Sequence, residues 1–370
     1  MNSITSTRRT ITWIVLALCM SLIAAACGGG SPVATEIAED FRNRDASDVE
    51  PPERVDSEAL ANPGLILWSN SQTWQRLLDA PDQPGVVVLF VQPASPSNDK
   101  GIARGDLLTA VDGEKVTNHE RAIALLRAKD GDTRNLTFLR ADGEEREVEI
   151  KPAIPKQRAR PFISALINES GNDAVLYFLR ATSVGGNNDS NLSDLNKAID
   201  LEPRFVEAMS EKASIRWLQR LSAEGEEARR IAGDALAGWE NALDIDPRNA
   251  GVLAVRSAAL VDLGQGERGK TEIEKSLDLD GSQAQALFTL ARAELQLKRP
   301  QQAAGPAAGA VALNPYTNLF YYRLLERIFM ELERPDDCKA TASAVRPYLE
   351  AHESKPFTDA ANALTELCED

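Results

Sequence analysis

The sequence predicts an α+β multidomain protein, in which a small β-sandwich or barrel precedes an all-α solenoid. The first half carries short apolar runs separated by turn dipeptides such as Asp112-Gly113, a pattern typical of antiparallel strands. In the second half a helix-ending motif recurs in steps of 44, 34 and 34 residues, at Pro203, Pro247, Gly281 and Pro315. A repeat of this length indicates stacked helical units. The length of 370 residues fits two or three domains.

The N-terminus predicts export. Arg8 and Arg9 precede an apolar run that ends in three alanines before Cys27, which are the parts of a secretory signal. A cysteine directly after small residues resembles the lipobox of bacterial lipoproteins. This resemblance implies that residues 1–26 are a signal peptide and that Cys27 is lipidated. The mature protein is then anchored to a cell-envelope membrane on its extracytoplasmic side. A signal-anchor helix is the alternative.

The charge balance excludes two classes of partner. The chain carries a net charge of −15, and removal of Arg8 and Arg9 with residues 1–26 makes it −17. Such an acidic chain is not expected to bind nucleic acid or anionic lipid head groups. Membrane contact therefore depends on the lipid at Cys27.

Residues 27–62 are predicted to be a disordered acidic tether. Between Ala34 and Leu60 the sequence has nine acidic residues, three arginines and few apolar residues. A stretch of this composition buries too little surface to offset the entropy lost on ordering. Its expected role is spacing.

Residues 63–152 are predicted to form a small domain of alternating strands and short helices. A β-branched run, 85–91, reads as a buried central strand. In 101–113 a short helix ends at a glycine, Arg-Gly-Asp turns the chain, and a strand runs to Asp-Gly. This stretch resembles a PDZ domain, most closely the type fused to bacterial envelope proteases.

The resemblance implies a groove in which a peptide adds a strand beside the domain's own sheet. The carboxylate-binding loop and strand would be Gly64, Leu65, Ile66 and Leu67. The groove helix would present His119, Ile123 and Leu126, which share one helical face. In some PDZ domains a histidine at this place binds a ligand hydroxyl. Core packing of Ile123 and Leu126, and simple exposure of His119, are the alternatives.

Residues 160–350 are predicted to be a solenoid of tetratricopeptide (TPR) repeats, closed by a capping helix at 351–370. With the recurring proline at repeat position 32, positions 8, 20 and 27 require small residues because the paired helices cross closely there. The sequence meets this requirement at Ala213, Ser257, Ala291, Ala235, Gly269, Ala303, Ala242, Ser276 and Ala310.

The concave face of such a solenoid is the expected peptide-binding surface. Its positions carry Trp217, Phe288, Arg292, Tyr322 and Phe329, an aromatic set with one cation that suits a peptide or helix. Packing of these aromatic side chains between repeats is the alternative.

Two cysteines remain in the predicted mature chain besides Cys27. Cys338 falls near the start of one helix and Cys368 near the end of the next, so antiparallel packing would bring them together. We expect them to pair in an exported protein. Two unpaired thiols are the alternative.

No catalytic or metal-binding motif emerges, and no cofactor is expected. Residues 264–271 match the phosphate-loop pattern G-x-x-x-x-G-K-T, but that motif needs a preceding strand. Here the preceding segment is an amphipathic helix in register with the repeat. A nucleotide-dependent factor is thus a remote alternative.

These features together predict a non-enzymatic, membrane-anchored scaffold that binds proteins or peptides in the cell envelope. Its partners would include an envelope protease or that protease's substrates. The main alternative is an assembly factor for an envelope complex, in which the PDZ fold is structural and binds no terminal peptide.

Overall fold

The computed structural model describes residues 39–52, 60–61, 63–129, 132–152, 159–183, 186, 188–315, 319–351 and 368. Cys27 and the predicted signal peptide lie outside these residues. Within the described ranges, no helix combines the length and apolar character that a membrane crossing needs.

The N-terminal domain is built on an antiparallel sheet. The strands are β1 (Leu60–Ala61), β2 (Leu65–Ser69), β3 (Val86–Val91), β4 (Leu107–Val111), β5 (Glu114–Lys115), β6 (Ala128–Lys129), β7 (Arg134–Leu139) and β8 (Glu145–Ile150). Their order in the sheet is β2-β3-β4-β7-β8, with β5 paired to β4, while β1 pairs with β6 in a separate ribbon. Its helices are α1 (Gln72–Leu78), α2 (Pro96–Asp99) and α3 (His119–Leu126).

Strand β3 lies between β2 and β4 and is a buried interior strand, as its β-branched sequence predicts. Residues 86–90 are all buried, because alternate side chains enter different cores. Val86 and Val88 face the interior of the β domain, whereas Val87 and Leu89 face helices of the C-terminal domain.

The C-terminal domain is an array of helices. They are α4 (Arg160–Glu169), α5 (Ala174–Thr182), α6 (Asn188–Leu201), α7 (Val206–Gln219), α8 (Gly225–Ile245), α9 (Ala250–Asp262), α10 (Gly266–Leu279), α11 (Ala284–Gln296), α12 (Pro300–Leu313), α13 (Leu319–Glu331) and α14 (Pro335–Ala351). The nine small residues that the repeat requires are all buried. At Gly269 a Cβ atom would lie 2.5 Å from Val261 Cγ2, so only glycine fits this helix crossing.

The two domains share one hydrophobic core. Trp74 of α1 packs against Phe178 of α5 and Phe205, with ring centroids 5.6 and 5.4 Å apart. All three side chains are buried. Because aromatic side chains of this size dominate core energetics, the β domain and the helical domain form one body.

The N-terminal strap, residues 39–52, packs on the helical domain. Residues 39–43 are helical and a 3₁₀ turn follows at Ala46–Asp48. Val49 is fully buried, and Arg334 donates hydrogen bonds to the carbonyl oxygens of Ala46 and Val49. The strap thus departs from the predicted disorder of 27–62 over the part that the structure describes.

Two glycines of α12 explain why the strap can dock. A Cβ atom on Gly309 would lie 2.6 Å from the ring of Phe41, and one on Gly305 would collide with the Phe41 carbonyl. Arg42 adds an ion pair with Asp278 at 3.0 Å. The acidic composition predicts disorder for the strap in isolation, whereas its order depends on this glycine-lined surface far along the chain.

A disulfide bond joins Cys338 of α14 to Cys368, with their Cα atoms 5.7 Å apart. Both residues are buried, and Cys338 lies in the core formed by α11 to α14. The bond closes a loop of 30 residues. A loop of this length corresponds to about 3 kcal/mol of stabilisation in the chain-entropy model.

Candidate functional site

The predicted peptide groove lies between β2 and α3. Leu67 and Leu126 are buried in the interior of the β domain, and half-buried Leu65 packs against the same core. Ile66 points to the opposite side and packs against the core shared with the helical domain. Ile123 is 38% exposed, so this predicted groove side chain projects into solvent.

Gly64 begins this strand in a left-handed conformation, with φ of +80°. A Cβ atom there would lie 2.3 Å from the Cβ of Ser95. The glycine therefore permits both the turn and its close approach to the loop before α2. The structure thus explains why the predicted carboxylate loop has glycine at position 64.

The His119 end of the groove is bridged by the protein itself. Ser69 Oγ lies 3.0 Å from His119 Nδ1 and accepts a hydrogen bond from the His119 backbone N–H at 3.2 Å. The Trp68 ring stacks on the imidazole, with centroids 4.9 Å apart. Burial lowers the pKa of His119 to about 4, so the ring is neutral at pH 7. Ser69 thus supplies the hydroxyl that the resemblance assigned to a ligand.

Polar contacts also bridge the two domains around the shared core. Arg104 forms a two-pronged ion pair with Asp173. The Thr117 hydroxyl donates to Asp280 at 2.8 Å, and Arg121 donates to the carbonyl of Leu313 at 2.9 Å. The last two contacts fix the start of α3 against the ends of α10 and α12.

An interdomain cleft of about 680 Å³ lies beside the Thr117–Asp280 bridge. The β domain contributes the end of β2 and the start of α3, including Trp68 and His119. The helical domain contributes the starts of α7, α9 and α11. This volume falls within the range of about 300–1,000 Å³ that is usual for ligand sites.

Carboxylates outnumber cations in this cleft. Among its described lining residues, Arg248 is the one that carries a guanidinium. Burial raises the pKa of Glu211 to about 7, and it also raises the pKa values of Glu207 and Glu120 despite opposing hydrogen bonds. The carboxylates of the lining belong to Asp82, Glu120, Glu207, Glu211, Asp246 and Asp280.

Most of the predicted concave aromatic residues are core residues. Tyr322 and Phe329 are buried, and the Tyr322 hydroxyl donates to the Pro315 carbonyl. Trp217 is also buried, 6.0 Å from Trp239 between centroids. These side chains fill the space between helices, so they do not form the open aromatic groove that the sequence predicted.

Phe288 and Arg292 are the predicted pair that stays half-buried at the surface of α11. The guanidinium carbon of Arg292 lies 5.5 Å from the Phe288 ring centroid, and Arg292 also pairs with Asp262. The pair is small, and its cation already has an internal carboxylate partner.

The phosphate-loop match lies in a helical hairpin. Gly264 turns the chain after α9 with φ of +79°, and α10 begins at Gly266. Lys270 Nζ lies 2.7 Å from the buried carboxylate of Glu294. The element before the motif is a helix, so this hairpin lacks the strand–loop–helix geometry that cradles phosphate.

The described residues contain no group of three or more histidine, cysteine or acidic side chains placed to hold a metal ion.

Comparison with known proteins agrees with the β domain's topology. Residues 59–151 match the family model of the PDZ domain. The chain combines a PDZ domain with TPR repeats. Both are in general binding modules rather than catalytic ones. A comparison with curated proteins found no match.

Several solved structures align with part of this chain. The TPR protein TTC0263 of Thermus thermophilus is 18% identical, with 46% of this chain and 89% of that chain aligned and a TM-score of 0.42. PilW, described as a type IV pilus biogenesis factor, is 14% identical, with coverages of 54% and 88% and a TM-score of 0.41. The HtrA-type protease AlgW is 16% identical, with coverages of 26% and 30% and a TM-score of 0.25.

The interdomain cleft is the feature that sequence reasoning missed. Glu207 and Glu211 belong to an ordinary helix start, and nothing in their spacing separates them from a solvated face. Their setting arises from contacts such as that of Glu207 with Ser71, which is 136 residues away in the sequence. No local pattern carries that information.

Proposed function

We propose that this protein is a lipid-anchored scaffold of the bacterial cell envelope, which holds polypeptide segments of other proteins on a fixed PDZ–TPR body. The observation that carries the proposal is the core that the two domains share around Trp74, Phe178 and Phe205. Two binding modules packed in this way present their surfaces at a constant separation. Weak contacts on each then reinforce one another through effective concentration.

The strap refines the role of the lipid in this proposal. If Cys27 carries the lipid, residues 28–38 are the chain between the anchor and the strap. Eleven residues span at most about 40 Å. The strap would therefore hold the repeats near the membrane. The composition alone suggests a longer and looser spacer.

We expect replacement of Ile123 by Glu to weaken binding of C-terminal peptides at least tenfold, because it places a charge in the groove between β2 and α3. The measurement is a screen of a C-terminal peptide library followed by affinities for the selected peptides. Leu166→Glu is a matched control, since Leu166 of α4 is 39% exposed against 38% for Ile123. Equal effects of both variants would contradict the groove assignment.

A second function, as an assembly factor that binds no terminal peptide, is favoured by the Ser69–His119 bridge, which fills part of the groove. Amidated peptides separate the two functions, because amidation removes the terminal carboxylate and leaves the side chains unchanged. Tighter binding of the free-acid peptides supports terminal capture, whereas equal binding of both forms supports the assembly factor.

We expect Cys27→Ser to move the protein from the membrane fraction to the soluble fraction, because it removes the thiol that the lipid would modify. Cell fractionation with detection of the helical domain measures this. Cys19→Ser, within the predicted signal peptide, is the control and should leave the protein on membranes. Membrane retention of the Cys27→Ser protein would contradict the lipid anchor and favour the signal-anchor helix.

A further inference from the structure

The interdomain cleft contains a carboxylate that the protein leaves incompletely satisfied. Glu207 is 4% exposed, and its Oε1 accepts hydrogen bonds from Ser71 Oγ at 2.6 Å and Asn249 Nδ2 at 3.3 Å. Its other oxygen, Oε2, is buried without a hydrogen-bond partner among the described residues. A buried carboxylate oxygen in this state carries an uncompensated desolvation cost, which a donor bound in the cleft would offset.

Glu211 stands on the same face of α7, one turn after Glu207, since residues i and i+4 are neighbours on a helix. It lines the cleft. In the described part of the chain its carboxylate takes part in no hydrogen bond or ion pair, and burial alone acts on its pKa. The helix therefore presents two stacked carboxylates whose charge the protein does not neutralise.

The other charged groups of the cleft are already engaged. Asp82 accepts a hydrogen bond from Gln75, and Asp246 accepts from the Asn249 amide and the Arg248 backbone N–H. Arg248, the guanidinium of the lining, is also engaged.

Asp280 accepts hydrogen bonds from Thr117 and Ser282. Glu120 accepts from the backbone N–H of Gln285 at 3.3 Å. The start of α9 is capped by Asn249, whose side chain accepts a hydrogen bond from the Val252 N–H. Fewer backbone N–H groups therefore remain at this helix start for an anion.

We propose that this cleft binds the ammonium or guanidinium group of a lysine or arginine side chain in a partner polypeptide, with Glu207 and Glu211 as its carboxylate ligands. A cation there donates to Glu207 Oε2 and favours the ionised form of Glu211. Hydrogen bonds between ionised partners of this kind are the strong ones. Trp68 in the lining adds an aromatic surface for the alkyl stem of the side chain.

The test is a fluorescence titration of the intact protein with a labelled ten-residue peptide that carries three lysines and an amidated C-terminus. Amidation makes this experiment independent of terminal-carboxylate capture. A negative result therefore contradicts cation binding in the cleft and leaves peptide binding in the PDZ groove unaffected. A peptide with glutamate in place of lysine should not bind. Because the whole chain is acidic, the decisive comparison is between two variants that lose the same charge.

Glu211→Gln removes one carboxylate from the cleft, whereas Glu226→Gln removes one from the exposed start of α8. We expect at least a tenfold loss of affinity from the first and less than a twofold loss from the second at physiological ionic strength. In the unaltered protein the affinity should also increase from pH 6 to pH 8 as Glu211 ionises, and Glu211→Gln should abolish that increase.

Equal losses in both variants would overturn the proposal, because they would show attraction by the overall negative charge. Absence of binding to the lysine peptide would overturn it as well. Spermidine tests the alternative source of an ammonium group. Binding of spermidine at lower concentration than the peptide, with the same loss in Glu211→Gln, would contradict a polypeptide partner.

Discussion

Replacement of Phe178 by Ala is expected to lower the free energy of unfolding by about 3–5 kcal/mol, the usual cost of removing a buried phenyl ring. Phe178 is fully buried, and its ring lies 5.0 Å from Trp68, 5.6 Å from Trp74 and 5.2 Å from Phe205. Deletion of this ring removes contacts on both sides of the domain boundary. The lower free energy of unfolding should therefore be accompanied by less cooperative unfolding of the two domains.

Differential scanning calorimetry measures both effects. We expect one main transition for the unaltered protein and two separated transitions for Phe178→Ala, because the β domain and the helices then unfold independently. Leu221→Ala is the control, since Leu221 is 72% exposed and surface truncations usually change stability by less than about 0.5 kcal/mol. A single transition in Phe178→Ala, with less than about 1 kcal/mol lost, would show that this core does not couple the domains.

Glu326 of α13 should make the free energy of unfolding fall as the pH rises, against an opposite contribution of His119, whose pKa is lowered. The Glu326 side chain is fully buried, and neither carboxylate oxygen has a hydrogen-bond partner among the described residues. Burial raises its pKa from 4.5 to about 8, against a smaller opposing effect of Arg323. The folded state therefore holds the proton more tightly than the unfolded state does.

The sign follows from proton linkage. Below pH 4.5 the group is protonated in both states and its contribution is complete, and this contribution is lost as the pH rises through 8. Its size is on the order of 5 kcal/mol, from about 1.4 kcal/mol for each unit of pKa difference. Glu211 contributes in the same direction because its pKa is also raised.

Urea denaturation at pH 5 and pH 8.5 tests this expectation. The free energy of unfolding of Glu326→Gln should equal that of the unaltered protein at pH 5. At pH 8.5 it should be several kcal/mol higher, because the amide carries no charge to bury. Glu333→Gln, on an exposed turn, should behave like the unaltered protein at both values. If the free energy of unfolding changes equally with pH in Glu326→Gln and in the unaltered protein, Glu326 is not the source of the pH dependence.

The fold could be predicted from local patterns to a large extent. The run of β-branched residues in β3, the Asp112-Gly113 turn and the 34-residue spacing each describe short-range geometry, and the structure has the corresponding strand, turn and helix pairs. The nine small repeat residues are buried for the steric reason that the repeat implies. Such features depend on residues close in sequence.

The sites could not be predicted to the same extent, because they depend on packing between distant segments. The order of the strap depends on Gly305 and Gly309, more than 250 residues after Phe41. Tyr322 and Phe329 have the side chains of a binding surface, but tight helix packing buries them. The same residue types serve a core or a groove, and only the tertiary arrangement decides between them.

The claim on which the cleft and the scaffold both depend is that the PDZ domain and the TPR repeats form one rigid body. Spin labels at Glu147 of β8 and Lys275 of α10, both exposed, report on it through double electron–electron resonance. The shared core predicts a single narrow distance distribution, which broadens when Phe178 is replaced by Ala. A broad or divided distribution in the protein with Phe178 intact would contradict the rigid body.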